Sequence, residues 1–298
     1  MMFFHKLAVF TIGLLTSVSS AHPGTASQFD RINHLIEQNP QSQALRIKRA
    51  SLYIQKRDMK KAQQDLGHAA SLGDPVETAF EMGKLQSKND EFKQAIASFK
   101  RYLKRYPSHA LSFLYGAKAA RAIGELDLAM DNFSAYFRHS RNPHPGEYLA
   151  AAGVLLEKWP QDSSPALRLL DGAIERLGSV PQLQRYATEL ELKRSNYSGA
   201  IERWRSVETA LSSSPQWKLD AARIYIIAGD QVQALELLNH AKIQLQGLKP
   251  TPARIENAFK LRELELVINP ALQKGGQSTI PIVLMRLFAS PKLSGLLQ

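Results

Sequence analysis

The sequence predicts an all-α fold, a solenoid of about six helix–turn–helix repeats closed by helical caps. Three observations carry that prediction. Alanine, leucine and glutamine dominate the middle of the chain while long alternating β-branched runs are scarce, a balance that favours helix. An alanine recurs at Ala62, Ala95, Ala129, Ala166, Ala200 and Ala234, with spacings of 33, 34, 37, 34 and 34 residues. Each alanine is followed four residues on by Leu66, Phe99, Phe133, Leu170, Trp204 or Leu238, and three further on by Ala69, Tyr102, Tyr136, Ala173, Val207 or Ala241. Positions i, i+4 and i+7 share one helix face, so every copy contains an amphipathic helix with the same buried stripe.

In chain order, the first element is a targeting segment. MMFFHK precedes a 12-residue apolar run, LAVFTIGLLTSV, and then small residues at Ser19 and Ala21. That arrangement predicts a secretory signal over residues 1–21, cleaved near Ala21, and the run is shorter than the roughly 20 apolar residues of a membrane span. An uncleaved anchor is the competing reading. No cysteine occurs anywhere, so disulfides, thiol chemistry and lipid attachment at the cleavage point are excluded. Export to a bacterial periplasm, or secretion, is the expected location, with no transmembrane span left after cleavage.

Residues 22–42 follow, where SQFDRINHLIEQNP sets Phe29, Ile32, Leu35 and Ile36 on one helical face and ends at Pro40. This is either an N-terminal cap or the second helix of a degenerate repeat. The repeats occupy 43–248. Twelve residues before the index alanine stands a small residue in most copies, Ala50, Gly83, Ala117, Thr188 and Ala222, which lets a preceding helix approach closely. Turns between the two helices are marked by Asp58, Asn89-Asp90, Gly124-Glu125, Asn196 and Gly229-Asp230. Pro107, Pro143 and Pro215 follow second helices that cannot continue through them. The fourth copy is irregular, since EKWPQDSSPA inserts about three residues, and its first helix falls near Tyr148–Lys158.

Thr251-Pro252 starts a further helix running to Asn269-Pro270, expected to cap the stack over 249–270. The tail, 271–298, differs in kind: Gly275-Gly276 breaks it, and Ile280–Phe288 is densely apolar. It is read either as an element folded back on the array or as an exposed partner or membrane-surface segment.

The 34-residue helix–turn–helix pattern resembles the tetratricopeptide repeat (TPR) family over about residues 43–243. The third copy, Ala110–Pro143, fits best. The resemblance implies a right-handed superhelical solenoid whose first helices line a concave groove, and a non-catalytic protein- or peptide-binding role without cofactor. Helical phase places Ile47, Ser51 and Ile54 toward that groove in the first copy, then Phe80, Lys84 and Ser87, then Leu114, Lys118 and Arg121. Arg185, Glu189 and Leu192 follow in the fifth copy and Leu219, Arg223 and Ile226 in the sixth. The carboxylate clamp of one TPR subclass is not supported, because Ile47 and Ser51 stand at its first positions.

Enzyme signatures are lacking. Neither HExxH, GxSxG nor GxxxxGK[ST] occurs, and His139 and His144 are separated by a proline-broken loop. Glu189 and Glu191 are two residues apart, as are Glu263 and Glu265, and so diverge on a helix. Losing Lys6 with the signal leaves 37 basic against 27 acidic residues, a net charge of +10. That balance favours an acidic partner; an exported chain gives no reason to expect nucleic acid. Two functions are therefore expected: an envelope scaffold or assembly factor holding a protein or peptide in its groove, or a polyanion- or membrane-surface-binding module acting through net positive charge.

Overall fold

A computed structural model describes residues 25–269, so the expected signal segment and the 271–298 tail lie outside the described residues. The described chain divides into two compact units at Arg105/Tyr106. The first contains α1 (Thr25–Gln38), α2 (Gln43–Gln55), α3 (Met59–Leu72), a 3₁₀ turn at Pro75–Thr78, α4 (Ala79–Lys88) and α5 (Phe92–Arg105). The second contains α6 (Ala110–Ala122), α7 (Leu126–His139), α8 (Pro145–Lys158), α9 (Ser164–Leu177), α10 (Pro181–Lys193) and α11 (Tyr197–Arg205). It continues with the one-turn α12 (Glu208–Leu211), α13 (Pro215–Ala228), α14 (Gln231–Gln246) and α15 (Pro252–Ile268). Among the described residues every regular element is helical.

The repeat columns become the packing core. All six index alanines are fully buried, and the residues four positions on are buried too, from Leu66 and Phe133 at 0% exposure to Trp204 at 6%. An alanine at the closest approach lets paired helices pack backbone to backbone, and the large side chain one turn later fills the space beside it. The small column behaves alike: Ala50, Gly83, Ala117, Thr188 and Ala222 are all buried.

The turns inside each pair are as regular as the columns. Arg57, Asp90, Gly124, Ser195 and Gly229 all take positive φ, between 58° and 84°. The next amide bonds back to the carbonyl five residues before it: Asp58 to Tyr53, Glu91 to Gln86, Glu125 to Ala120, Asn196 to Glu191, and Asp230 to Tyr225, at 2.8–3.0 Å. These are Schellman closures, in which a left-handed residue reverses the chain and satisfies the carbonyls left over at a helix C-terminus. The same residues then open the second helix. Asp58, Asn196 and Asp230 accept from the amides of Lys61, Gly199 and Gln233 at 3.1–3.3 Å.

Two copies depart from the pattern. The fourth keeps both helices, α8 and α9, with the insertion absorbed in the connecting loop, where Asp162 accepts from the Ser164 amide at 2.9 Å. In the fifth, the second helix was expected to run through Ala200, Trp204 and Val207, yet α11 stops at Arg205. Ser206 donates its hydroxyl to the Arg203 carbonyl at 2.7 Å, and a local side-chain bond of this kind competes with the next helical turn. Val207 remains buried at 4%.

In the second unit α15 covers the end of the last pair. Leu261 and Leu264 pack with Leu219, Ala222, Leu238, Ala241 and Leu245, so the apolar side of α13 and α14 is shielded.

Candidate partner-binding surface

The first helices of both units carry the residues expected to meet a partner. In the first, Ile47 and Ser51 are half-buried and Ile54 is core. Phe80 is half-buried, its ring 6.0 Å from Phe99 and 5.7 Å from Tyr102. The Lys84 ammonium donates to Glu81 Oε1 at 2.9 Å and to Ser51 Oγ at 3.3 Å, a contact between consecutive first helices. The Ser87 hydroxyl turns back onto the Gly83 carbonyl. Lys84 and Ser87 are therefore bonded within this unit.

The second unit corrects two expected contacts. Leu219 is fully buried beneath α15, and Leu114, one turn before Ala117, is only 6% exposed. Both are core residues rather than groove contacts. Leu192 and Ile226 are half-buried against neighbouring core clusters.

The charged residues are brought together in an arrangement the sequence reading did not foresee. Lys118 on α6 lies 3.2 Å from Glu147 on α8, and Arg121 Nε donates to Glu157 Oε1 at 3.0 Å, again from α6 to α8. Arg223 on α13 pairs with Glu189 on α10, and Lys260 on α15 pairs with Asp220 on α13. Tyr186 on α10 is buried beside the Arg121–Glu157 pair. Burial is the main cause that raises its hydroxyl above the usual phenol range, with Arg121 lowering and Glu157 raising it in smaller measure. Arg185 is exposed and makes no ion pair among the described residues.

The surface is thus a ladder of opposite charges on successive first helices. Such pairs fix long side chains in place, and they remove part of the bare positive potential that the cations alone suggest. The missed residues are Glu147, Glu157, Asp220 and Lys260. A signal existed: each partner lies 29 to 40 residues from its counter-charge, about one repeat away.

The two loop histidines have separate structural tasks. His139 stacks on Phe113 with centroids 5.4 Å apart, while His144 Nδ1 accepts from the Gly146 amide to cap α8. Among the described residues, no cluster of three or more His, Cys, Asp or Glu is placed to hold a metal ion. No helix among them is long and apolar enough to cross a membrane.

Two clefts of this unit are each walled by residues of both helices of a pair. One, of about 500 Å³, is lined by carboxylates including Asp171, Glu175, Glu191 and Glu202, with Arg203 bonded to Asp171 at 2.7 Å and to Glu191 at 3.3 Å. The other, of about 330 Å³, is aromatic, with Trp204, Trp217 and Tyr225 in its wall.

No family model and no curated protein matches the chain. Solved structures do. The C-terminal part of a TPR repeat-containing protein from Cytophaga hutchinsonii aligns with a TM-score of 0.60 at 13% identity, covering 78% of this chain and 94% of that one. PilF of Pseudomonas aeruginosa aligns with a TM-score of 0.49 at 14% identity over 75% of this chain and 96% of its own. A tetratricopeptide repeat protein from Parabacteroides merdae gives 0.48 at 15% identity over 86% and 98%. The buried columns, the Schellman turns and the first of these alignments agree: the chain has the all-α tetratricopeptide-repeat fold.

Proposed function

We propose that this chain is a non-catalytic scaffold or assembly factor of the bacterial cell envelope, holding a protein or peptide partner along the first-helix face of its second unit. One observation carries the reading. Consecutive first helices α6, α8, α10 and α13 present charges of both signs that are already fixed by Lys118–Glu147, Arg121–Glu157 and Glu189–Arg223. A surface whose side chains are ordered before contact loses less conformational entropy on binding. The expected partner offers both signs rather than a purely acidic face, with Arg185 as one cation open to an incoming carboxylate. The short apolar run at the N-terminus supports the envelope as the compartment.

The test places a photo-crosslinking residue at Arg185 and, separately, at Glu202 on α11, in cells that express the chain. Capture of one discrete protein from position 185 and not from 202 is expected, together with recovery of the chain in the periplasmic fraction. Equal capture at both positions, or none, sinks the first-helix assignment.

A second reading, attachment to an anionic polymer or membrane surface, is favoured by one helix. Lys93, Lys100, Arg101, Lys104 and Arg105 on α5 are all exposed and make no ion pair among the described residues. Anionic phosphatidylglycerol vesicles decide it. Binding that falls steeply between 50 and about 500 mM salt and vanishes with Lys100→Glu and Lys104→Glu would put this reading first.

A further inference from the structure

The aromatic cleft of the second unit holds a feature that packing alone does not explain. Trp204 on α11 and Trp217 on α13 are 94% and 95% buried, with rings stacked 6.2 Å apart, and both line the cleft. Neither indole Nε1–H has an acceptor, and both nitrogens are sheltered from solvent. An indole nitrogen can only donate, so no change of tautomer or amide orientation relieves it. Buried donors are nearly always paired, and leaving one unpaired is costly. Two such donors in the wall of one 330 Å³ cavity mark a place where acceptors are supplied from outside.

The rest of the lining describes the ligand. Ala221 and Ile224 make the floor apolar, and Tyr225 lies under the Arg205 guanidinium at 5.9 Å from its ring centre. At the mouth stand Arg205 and Glu208, both exposed, one of each sign. The rim therefore does not favour an anion, and the acceptors that fit are neutral carbonyls. The volume lies at the lower end of the range of small-ligand sites, room for one large side chain with its adjoining backbone. Trp217, Ala221, Ile224 and Tyr225 form one stripe of α13 at i, i+4, i+7 and i+8, separate from the Leu219, Arg223 and Ile226 stripe.

We infer that this cleft between α11, α13 and α14 is a second binding site, which takes an aliphatic or aromatic side chain of a partner peptide while main-chain carbonyls of that peptide accept from the Trp204 and Trp217 indoles. Because both nitrogens are sheltered in the free chain, binding requires each indole to turn its N–H onto the incoming carbonyl. The site is independent of the first-helix surface.

The probe is N-acetylphenylalaninamide, an uncharged ring flanked by two amide carbonyls, titrated into the full chain carrying ¹⁵N-labelled tryptophan. Its size predicts a dissociation constant on the order of 1 mM. The Trp204 and Trp217 indole resonances should move downfield, while Trp159, outside the cleft, stays fixed. Trp204→Phe and Trp217→Phe keep a ring and remove one donor, so each should weaken binding about 5- to 10-fold. Gln233→Trp, which adds bulk to the lining from α14 and leaves both donors in place, should abolish it. Stationary indole resonances at saturating probe overturn the proposal. So does equal affinity for toluene, which has no acceptor, or higher affinity for N-acetylphenylalanine with its free carboxylate. Indoles that are already hydrogen-bonded in the free chain, and released by dilution or by shortening to residue 269, would assign the cleft to a second copy or to the chain's own tail instead. None of these failures alters the crosslink at Arg185, so the scaffold reading is judged separately.

Discussion

The second and fifth repeats fill the same columns and reach opposite results. In the second, Gly83 faces Phe99 so closely that a Cβ at 83 would sit 2.5 Å from a ring carbon. The ring occupies the space that a larger residue would need, and it is 1% exposed. In the fifth, Thr188 and Trp204 stand in those positions. Thr188 Oγ1 and Trp204 Nε1 are buried without partners, α11 ends after nine residues against fourteen in α5, and a 330 Å³ cavity opens beside the indole. The fold needs only a small residue opposite a large one. What else those residues carry decides whether the column is closed packing or a place for a ligand.

The largest test of that contrast is truncation of the two rings. Phe99→Ala should cost about 3–5 kcal/mol, because Gly83 offers nothing to collapse into the void. Trp204→Phe should cost about 1.5 kcal/mol or less, since it removes an unsatisfied donor and borders space that is already empty. Urea unfolding followed by far-UV circular dichroism reads both. All three tryptophans, Trp159, Trp204 and Trp217, lie in the second unit, so their fluorescence reports that unit alone. Equal losses for the two variants would mean that the cavity beside Trp204 closes in solution.

Insertion tests the same pair from the other side. Gly83→Ala improves helix propensity by about 1 kcal/mol, yet the Phe99 ring must shift to admit the methyl group. A net loss of about 1–2 kcal/mol is expected by the same measurement. A gain in stability would show the second repeat to be looser than its contacts indicate.

These contrasts also show why some features were legible in the sequence and others were not. The alanine and large-apolar columns could be read because each copy repeats one local requirement, burial at i, i+4 and i+7. The turns could be read from their residue types at Asp58, Asn89-Asp90, Gly124-Glu125, Asn196 and Gly229-Asp230, but the positive φ of Arg57 and Ser195, one residue before Asp58 and Asn196, leaves no such mark. Site residues fared less well. Helical phase put Leu219 on the surface, but a cap helix 40 residues later in the chain covers it, and phase within one helix carries no knowledge of that helix. Helical phase places Lys118 and Arg121 toward the groove but carries nothing about their partners, Glu147 and Glu157, which belong to the next repeat. The aromatic cleft lies beside the end of α11 at Arg205, and that early end breaks the period on which the reading of the other copies rests.

A polar group without a partner should be removable at a gain. Thr188→Val keeps the side-chain shape and deletes the orphan hydroxyl, so the fifth repeat should become more stable by about 1 kcal/mol. The equivalent change has no counterpart at Gly83, which makes the sign of the effect, rather than its size, the distinguishing result. A loss, read by the tryptophan fluorescence transition, would mean that Oγ1 is bonded in solution, and the indole of Trp204 would then be the unsatisfied group left in this column of the fifth repeat.

The smallest effect lies in the turn that both repeats share. Asp90 and Ser195 take φ of 61° and 58° at the left-handed position that Gly124 and Gly229 fill elsewhere. A Cβ in that region costs about 1 kcal/mol, while glycine gives back part of the gain through its freer unfolded chain. Aspartate tolerates the left-handed region better than serine, since its short carboxylate bonds locally to the backbone. Ser195→Gly should therefore stabilise by about 0.5 kcal/mol, and Asp90→Gly by less, each seen as a shift of the unfolding midpoint at unchanged slope. The order of the two matters more than their size. If Asp90→Gly gained the more, the second repeat would hold the greater backbone strain, and the fifth repeat's unsatisfied groups would have to be traced to its side chains alone.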